Sequence, residues 1–309
     1  MSDILQYLPF SCYRKFLRPA VDGCMGIGTH VAEIVWDDGI CRESFVKFYK
    51  HDKKRALLNE AIGFLIIRSL DLPQPDLGGF LQYQISETEN PELWKDASEL
   101  EKYKGEVIAW VTTNTNGLNK RIEITQQQNP EIKQYLSNQL QESLKKWQHL
   151  PDLILCDDWL ANDDRNLGNL LELPNRTFTL IDHGGILYGD NWSAWDIMQS
   201  RIINGPFQKW YTQIYRSKFD EGLFWKQELL SELTELKKKH IIGLEKIKQE
   251  LFALIDEFID SEEVDTKLPP QPIQKVSKVL QDFLEESALQ SSNLDQKCDH
   301  WLDTSAQYA

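Results

Sequence analysis

Cysteine is sparse in this chain. Five residues in 309, Cys12, Cys24, Cys41, Cys156 and Cys298, are scattered and never form a Cys-x-x-Cys pair. An odd, unclustered set argues against a disulfide scaffold and a zinc site, and fits a reducing, cytoplasmic setting. Long apolar runs are also missing; none approaches the roughly 20 residues that a membrane helix needs. The opening MSDILQYLPFSCYRKFLRP lacks a basic start followed by an apolar run, so no secretory leader is expected. Positive charge is short: 34 Lys and Arg stand against 48 Asp and Glu, a formal net charge of −14. Basic residues gather only in short runs such as KKWQ and KKKH, so neither nucleic acid nor a membrane is an expected direct partner. No internal repeat or low-complexity tract is visible.

What the chain does have is enough apolar residues for a core, 41% hydrophobic with 11% aromatic, and a length suited to one two-lobed unit or two small domains. The front reads as β-rich. HVAEIVWDDGICRESFVKFYK alternates apolar and polar residues on both sides of the turn WDDG, a hairpin signal. KRALLNEAIGFLIIRSLDLPQP follows as a helix, with Leu57, Leu58, Ala61, Leu65 and Ile66 on one face and Pro73 as the stop. FLQYQI and GEVIAWVTT read as two more strands. From about residue 130 the pattern turns helical. PEIKQYLSNQLQESLKKWQHL places Ile132, Leu136, Leu140 and Leu144 four apart behind Pro130. DLILCDDWLA is a short apolar helix, and NLLEL and TFTLID form a tight hairpin. Two amphipathic helices close the chain, one carrying Leu244 to Phe258 and the other Ile273 to Phe283. The expected fold class is α+β, with two lobes and a cleft between them, where small ligands usually bind.

The segment DDWLANDDRNLGNLLELPNRTFTLIDHGG, 157–185, lies at the junction. Its loop crowds Asp163, Asp164, Asn166 and Asn169 together. A hairpin folds its ends together, so Asn169 before the first strand and Asp182 after the second should meet. A carboxylate and an amide carbonyl are hard oxygen donors that suit Mg²⁺ rather than zinc. A further acid, Asp164, stands ready to accept a proton. Phosphoryl transfer needs such a set, because the metal neutralises phosphate charge while an Asp orients the attacking hydroxyl. A plain polar turn is the alternative, but it leaves Asp182-His183-Gly184 at that distance unexplained.

DDWLANDDRNLGNLL followed by FTLIDHGG resembles the catalytic and metal loops of HipA-like kinases, a bacterial branch of the protein-kinase-like fold. It is similar, more distantly, to the phosphatidylinositol kinases. Their pattern is Asp-x-x-x-x-Asn, then about a dozen residues, then Asp-x-Gly; here Asp164, Asn169, Asp182 and Gly184 match it. The resemblance implies a β-rich N-lobe (1–110) and a mainly helical C-lobe (111–309). It implies ATP and Mg²⁺ as cofactors, Asp164 as catalytic base, and Asn169 and Asp182 as magnesium ligands. In the same frame ESFVKFY would present Lys47 to the nucleotide, with Glu60 on the following helix as its orienting partner. Gly23, Gly26 and Gly28 in VDGCMGIGTH would lay backbone N–H groups on phosphates, although an ordinary hairpin turn explains a glycine trio equally well. Residues 106–113 would join the lobes. The implied activity is γ-phosphate transfer to a hydroxyl, with Ser/Thr of a protein substrate as the leading acceptor. The resemblance also admits an antitoxin-type protein partner. A small-molecule phosphotransferase and an ATP-binding pseudokinase acting as an interaction module are the alternatives. The departure that favours the last is Asn166, where related kinases often have His.

Overall fold

The computed structural model describes residues 4–20, 27–49, 53, 55–84, 106–162, 164–200, 214–215, 217, 225–259 and 275–289. The architecture is α+β, with a β-rich N-terminal sheet and a helical C-terminal region. The sheet comprises β1 (Leu5–Leu8), β2 (Tyr13–Pro19), β3 (Ile27–Val35), β4 (Cys41–Phe48), β5 (Gly78–Gln84) and β6 (Glu106–Thr113). Their order is β1-β5-β6-β4-β3-β2, with β1 parallel to β5 and the other pairs antiparallel. The β3–β4 hairpin turns where WDDG predicts it. Gly39 supplies a φ of +76°, and the Asp38 carboxylate accepts the Ile40 N–H at 2.9 Å.

Helix α1 (Ala56–Ser69) returns across the sheet. The sequence pattern reads as amphipathic, yet 12 of its 14 residues are buried, because both sides are covered. One side meets Phe80 and Trp110 of the sheet, where Phe64 packs edge-on to Trp110 at 5.7 Å. The other side meets the helical half, formed by α2 (Lys120–Gln126), α3 (Pro130–Lys146), α4 (Leu150–Trp159), α5 (Ala194–Ser200), α6 (Trp225–Phe258) and α7 (Val276–Leu289). A single apolar core therefore runs from Trp110 through Phe64 to Leu153, Leu251 and Leu280. A second, smaller core of Ile34, Val46, Phe48, Leu81 and Val111 lies on the far face of the sheet.

Two expectations shift. Segment 106–113, expected to join the halves, is the central strand β6, and the chain leaves the sheet after Thr113. Ile132, expected in the apolar stripe of α3, is exposed, while Leu136 is partly buried against the core and Leu140 and Leu144 are buried; the first turn of α3 lies outside the core. Ile273 lies outside the described residues. A small sheet of β7 (Leu118–Asn119), β8 (Leu170–Glu172) and β9 (Phe178–Leu180) carries the expected hairpin. No described helix is long and apolar enough to cross a membrane.

Candidate functional site

Strand alternation sets the first side chain. Val46 and Phe48 enter the far-face core, which directs Lys47 to the opposite face, toward α1. Its ammonium lies 2.9 Å from Glu60 Oε1 and 3.1 Å from Asp182 Oδ1. Burial works to discharge Lys47, but the Asp182 and Glu60 carboxylates outweigh it and hold its pKa above the ordinary lysine value. Glu60 is buried and accepts two further bonds, from the Tyr49 hydroxyl at 2.5 Å and the His183 N–H at 2.8 Å. Desolvation and the charge of Glu60 push the Tyr49 pKa far up, so it remains a phenol donor.

The acidic loop is built from its own short-range bonds. The Asn162 side chain accepts the Asp164 N–H at 3.0 Å and donates to Asp157 at 2.7 Å. Asn166 caps the turn Leu167–Asn169 by accepting the Gly168 N–H at 2.8 Å. Asn169 donates its side-chain amide to the Asp164 carbonyl at 2.9 Å. Beneath the loop, Arg165 is fully buried and paired with Asp157 at 3.2 Å. The same guanidinium donates to the Ile181 carbonyl at 3.0 Å and approaches His183 Nδ1 at 3.4 Å. His183 is thereby an acceptor; desolvation and the neighbouring Arg165 charge lower its pKa to about 3.

The hairpin brings the expected pair together. The Ile181 N–H donates to the Asn169 carbonyl at 3.1 Å, so Asn169 neighbours the residue that precedes Asp182. Asp182 takes a left-handed φ of +61°, uncommon for a residue with a side chain. Gly185 lies against Asp164: a Cβ there would come within 2.6 Å of the Asp164 Cβ. Lys47, Glu60 and Asp182 thus meet directly, and Asp164 and Asn169 flank them through Gly185 and Ile181. Gly23 and Gly26 lie outside the described residues, and Gly28 belongs to β3.

The donor set suits a magnesium ion. Asp182 offers a carboxylate, and Asn169, with its amide nitrogen spent on Asp164, has Oδ1 as its remaining side-chain polar atom. Mg²⁺ takes one or two such oxygens and completes its shell with water and phosphate. Two participants have no signal in the sequence reading. Arg121, at the start of α2, donates to Asn166 Oδ1 at 3.0 Å. Asn59, beside Glu60 on α1, reaches the backbone beyond Asp182. A polar pair, Asn59-Glu60, inside the apolar run ALLNEAIGFLII is the mark that would have exposed the second.

No family model and no curated protein matches the chain. Among solved structures, the chain is similar to the proinflammatory kinase CtkA of Helicobacter pylori, at 12% identity and a TM-score of 0.48, over 97% of this chain and 99% of that one. A MAP kinase of Leishmania major matches at 13% identity and a TM-score of 0.29, over 94% of this chain and 82% of that one.

Proposed function

We propose that this protein is an ATP-dependent kinase that transfers the γ-phosphate to a hydroxyl, with Ser/Thr of a protein as the acceptor. The observation that carries this reading is the meeting of Lys47 on a strand and Glu60 on the next helix with Asp182 on a loop far downstream in sequence. In this reading the sheet forms the nucleotide-binding N-lobe and the chain passes into the C-lobe after Thr113, three residues beyond the expected 1–110 boundary. Lys47 serves the ATP phosphates: an arriving phosphate oxygen replaces its contact to Asp182, while Glu60, held also by Tyr49 and His183, keeps the ammonium aimed. Asp182, so released, and Asn169 would hold Mg²⁺, which supplies charge neutralisation on the phosphate oxygens. Asp164 accepts the proton of the acceptor hydroxyl. The hydroxyl oxygen bonds to the γ-phosphorus, the bond to the bridging β–γ oxygen breaks, and ADP leaves.

Labelled ATP and Mg²⁺ test this, with purified protein alone and with cell lysate, beside Asp164→Ala and Asp182→Ala variants. The expected result is label on a lysate protein, lost in both variants. Label on a small molecule would point to the small-molecule phosphotransferase. ATP binding without turnover would favour the interaction module, to which Asn166 in place of His is the one pointer. No nucleotide binding at all would overturn all three. An antitoxin-type partner would copurify, and its removal would raise the transfer rate.

A further inference from the structure

We propose that Asn59 is a positioning residue that binds the segment after Asp182 to α1, so that Glu60, Lys47 and Asp182 are set together. The functional part rests on the kinase reading above; the clamp itself does not. Asn59 is fully buried. Its Nδ2 lies 2.8 Å from the Gly184 carbonyl, 3.0 Å from that of Ile186 and 2.8 Å from that of Gly189. Its Oδ1 accepts the Trp192 indole N–H at 2.9 Å. The two hydrogens of Nδ2 are shared among these carbonyls; that of Ile186 also accepts the Gly189 N–H at 3.2 Å, so those of Gly184 and Gly189 need the amide donor, and the indole needs an acceptor. An amide on a one-carbon stem supplies both, whereas neither a carboxylate nor an apolar side chain does.

The segment requires such a hold. Leu187 and Tyr188 have φ of +58° and +67°, and Gly189 follows at +118°. A side-chain-bearing residue in that region is strained and persists only where its surroundings enforce it. The carbonyls of this curl converge on Asn59, while two of its N–H groups bond the helical half: Leu187 to the Leu160 carbonyl at 2.9 Å and Tyr188 to that of Ala161 at 3.2 Å. The curl therefore bridges α1 to the chain entering the acidic loop.

Contacts at either end extend the clamp along one face of α1. Before Asn59, Lys53 pairs with Asp190 at 2.5 Å, and the Arg55 guanidinium lies 4.7 Å from the Trp192 ring centre. After it, Glu60 accepts the His183 N–H, and Gly63 lies so close to His183 that a Cβ there would come within 2.4 Å of the His183 Cβ. Arg55, Asn59 and Gly63 recur every four residues, so a single helical face is engaged over two turns. Turning α1 away from Lys47 would break these bonds together.

The experiment compares wild type, Asn59→Leu, which keeps the volume and removes the amide, and Trp192→Phe, which removes the bond to Oδ1 and trims the ring under Arg55 while leaving the Asn59 amide in place. Hydrogen exchange of the whole chain is read without ATP or metal. Faster exchange of the Leu187 and Tyr188 amides in Asn59→Leu, and a smaller increase in Trp192→Phe, are expected, with α4 and α6 protected as in wild type. In the transfer assay, Asn59→Leu is expected to lose about 10- to 100-fold in turnover, as for partners that orient a metal ligand, and to need more Mg²⁺, with metal-free ATP affinity kept. Wild-type exchange at Leu187 and Tyr188 in a folded Asn59→Leu protein would overturn the clamp. If wild type transfers no phosphate, the kinase reading fails, while the exchange measurement still decides whether the clamp exists.

Discussion

Two ionic networks meet at the junction of the halves, and they differ in what they leave open. The upper one joins Lys47, Glu60, Asp182 and Tyr49 across strand, helix and loop; Lys47 and Asp182 keep 18% and 31% side-chain exposure. The lower one joins Asp157, Arg165, the Ile181 carbonyl and His183 inside the helical half, at 1% exposure for Asp157 and none for Arg165. A partly open charge can change partners when a ligand arrives, whereas a sealed one is committed to the fold. In the kinase reading proposed above, the upper network would be the working part and the lower one its foundation.

Substitutions should separate them. Arg165→Ala leaves Asp157 buried without its cation and is expected to cost about 3–5 kcal/mol in urea unfolding, the scale for breaking a buried pair. An unchanged midpoint would erase the distinction. Lys47→Met is expected to cut phosphate transfer by about 100-fold or more, the scale for losing a donor on a developing oxyanion, while the protein stays folded. Glu60 is as buried as Asp157 but keeps the Tyr49 and His183 donors in that variant, and Asp182 is partly exposed, so the unfolding midpoint should fall less than in Arg165→Ala.

Acid should act on the lower network. His183 binds no proton in the folded protein until about pH 3, whereas the unfolded chain binds one below about 6.5. Stability then rises with pH across that window and is lost as pH falls through it, by about 2 kcal/mol between pH 6.5 and 5 for this residue. His240, buried against Trp159 in the helical half, is also shifted far down by desolvation and adds to the same slope. His183→Gln should flatten its share and His240→Leu the other, read as unfolding midpoints across pH. Tyr49→Phe should have the smallest effect, about 1 kcal/mol for one of the three donors on Glu60. A large loss of folding there would mean that the upper network is structural after all.

Much of the site is legible in the chain because its geometry is local. Alternation in β4 aims Lys47, and one hairpin brings Asn169 near Asp182. The glycine trio lies mostly outside the described residues and adds nothing to that reading. What escapes is meetings between distant segments. Four residues, LQYL, are too few to signal a strand, and β1 exists because β5 offers its edge 73 residues later. The burial of Asp157 with Arg165, and the reach of Arg121 to Asn166, depend on how helices stack. Asn59 escapes because an apolar periodicity records only what packs against grease, and α1 also packs against backbone.

The wiring of α1 bears on any dissection of this molecule. Asn59 bonds backbone 125 and more residues downstream, and Glu60 bonds the amide of His183. A nascent chain that has released the sheet and this helix, but not yet residues 183–192, holds a helix whose Asn59 amide lacks its partners and whose Glu60 has Lys47 and Tyr49 but not the His183 N–H. The front portion is thus a poor candidate for excision, and its complement, supplied in trans, should rescue it.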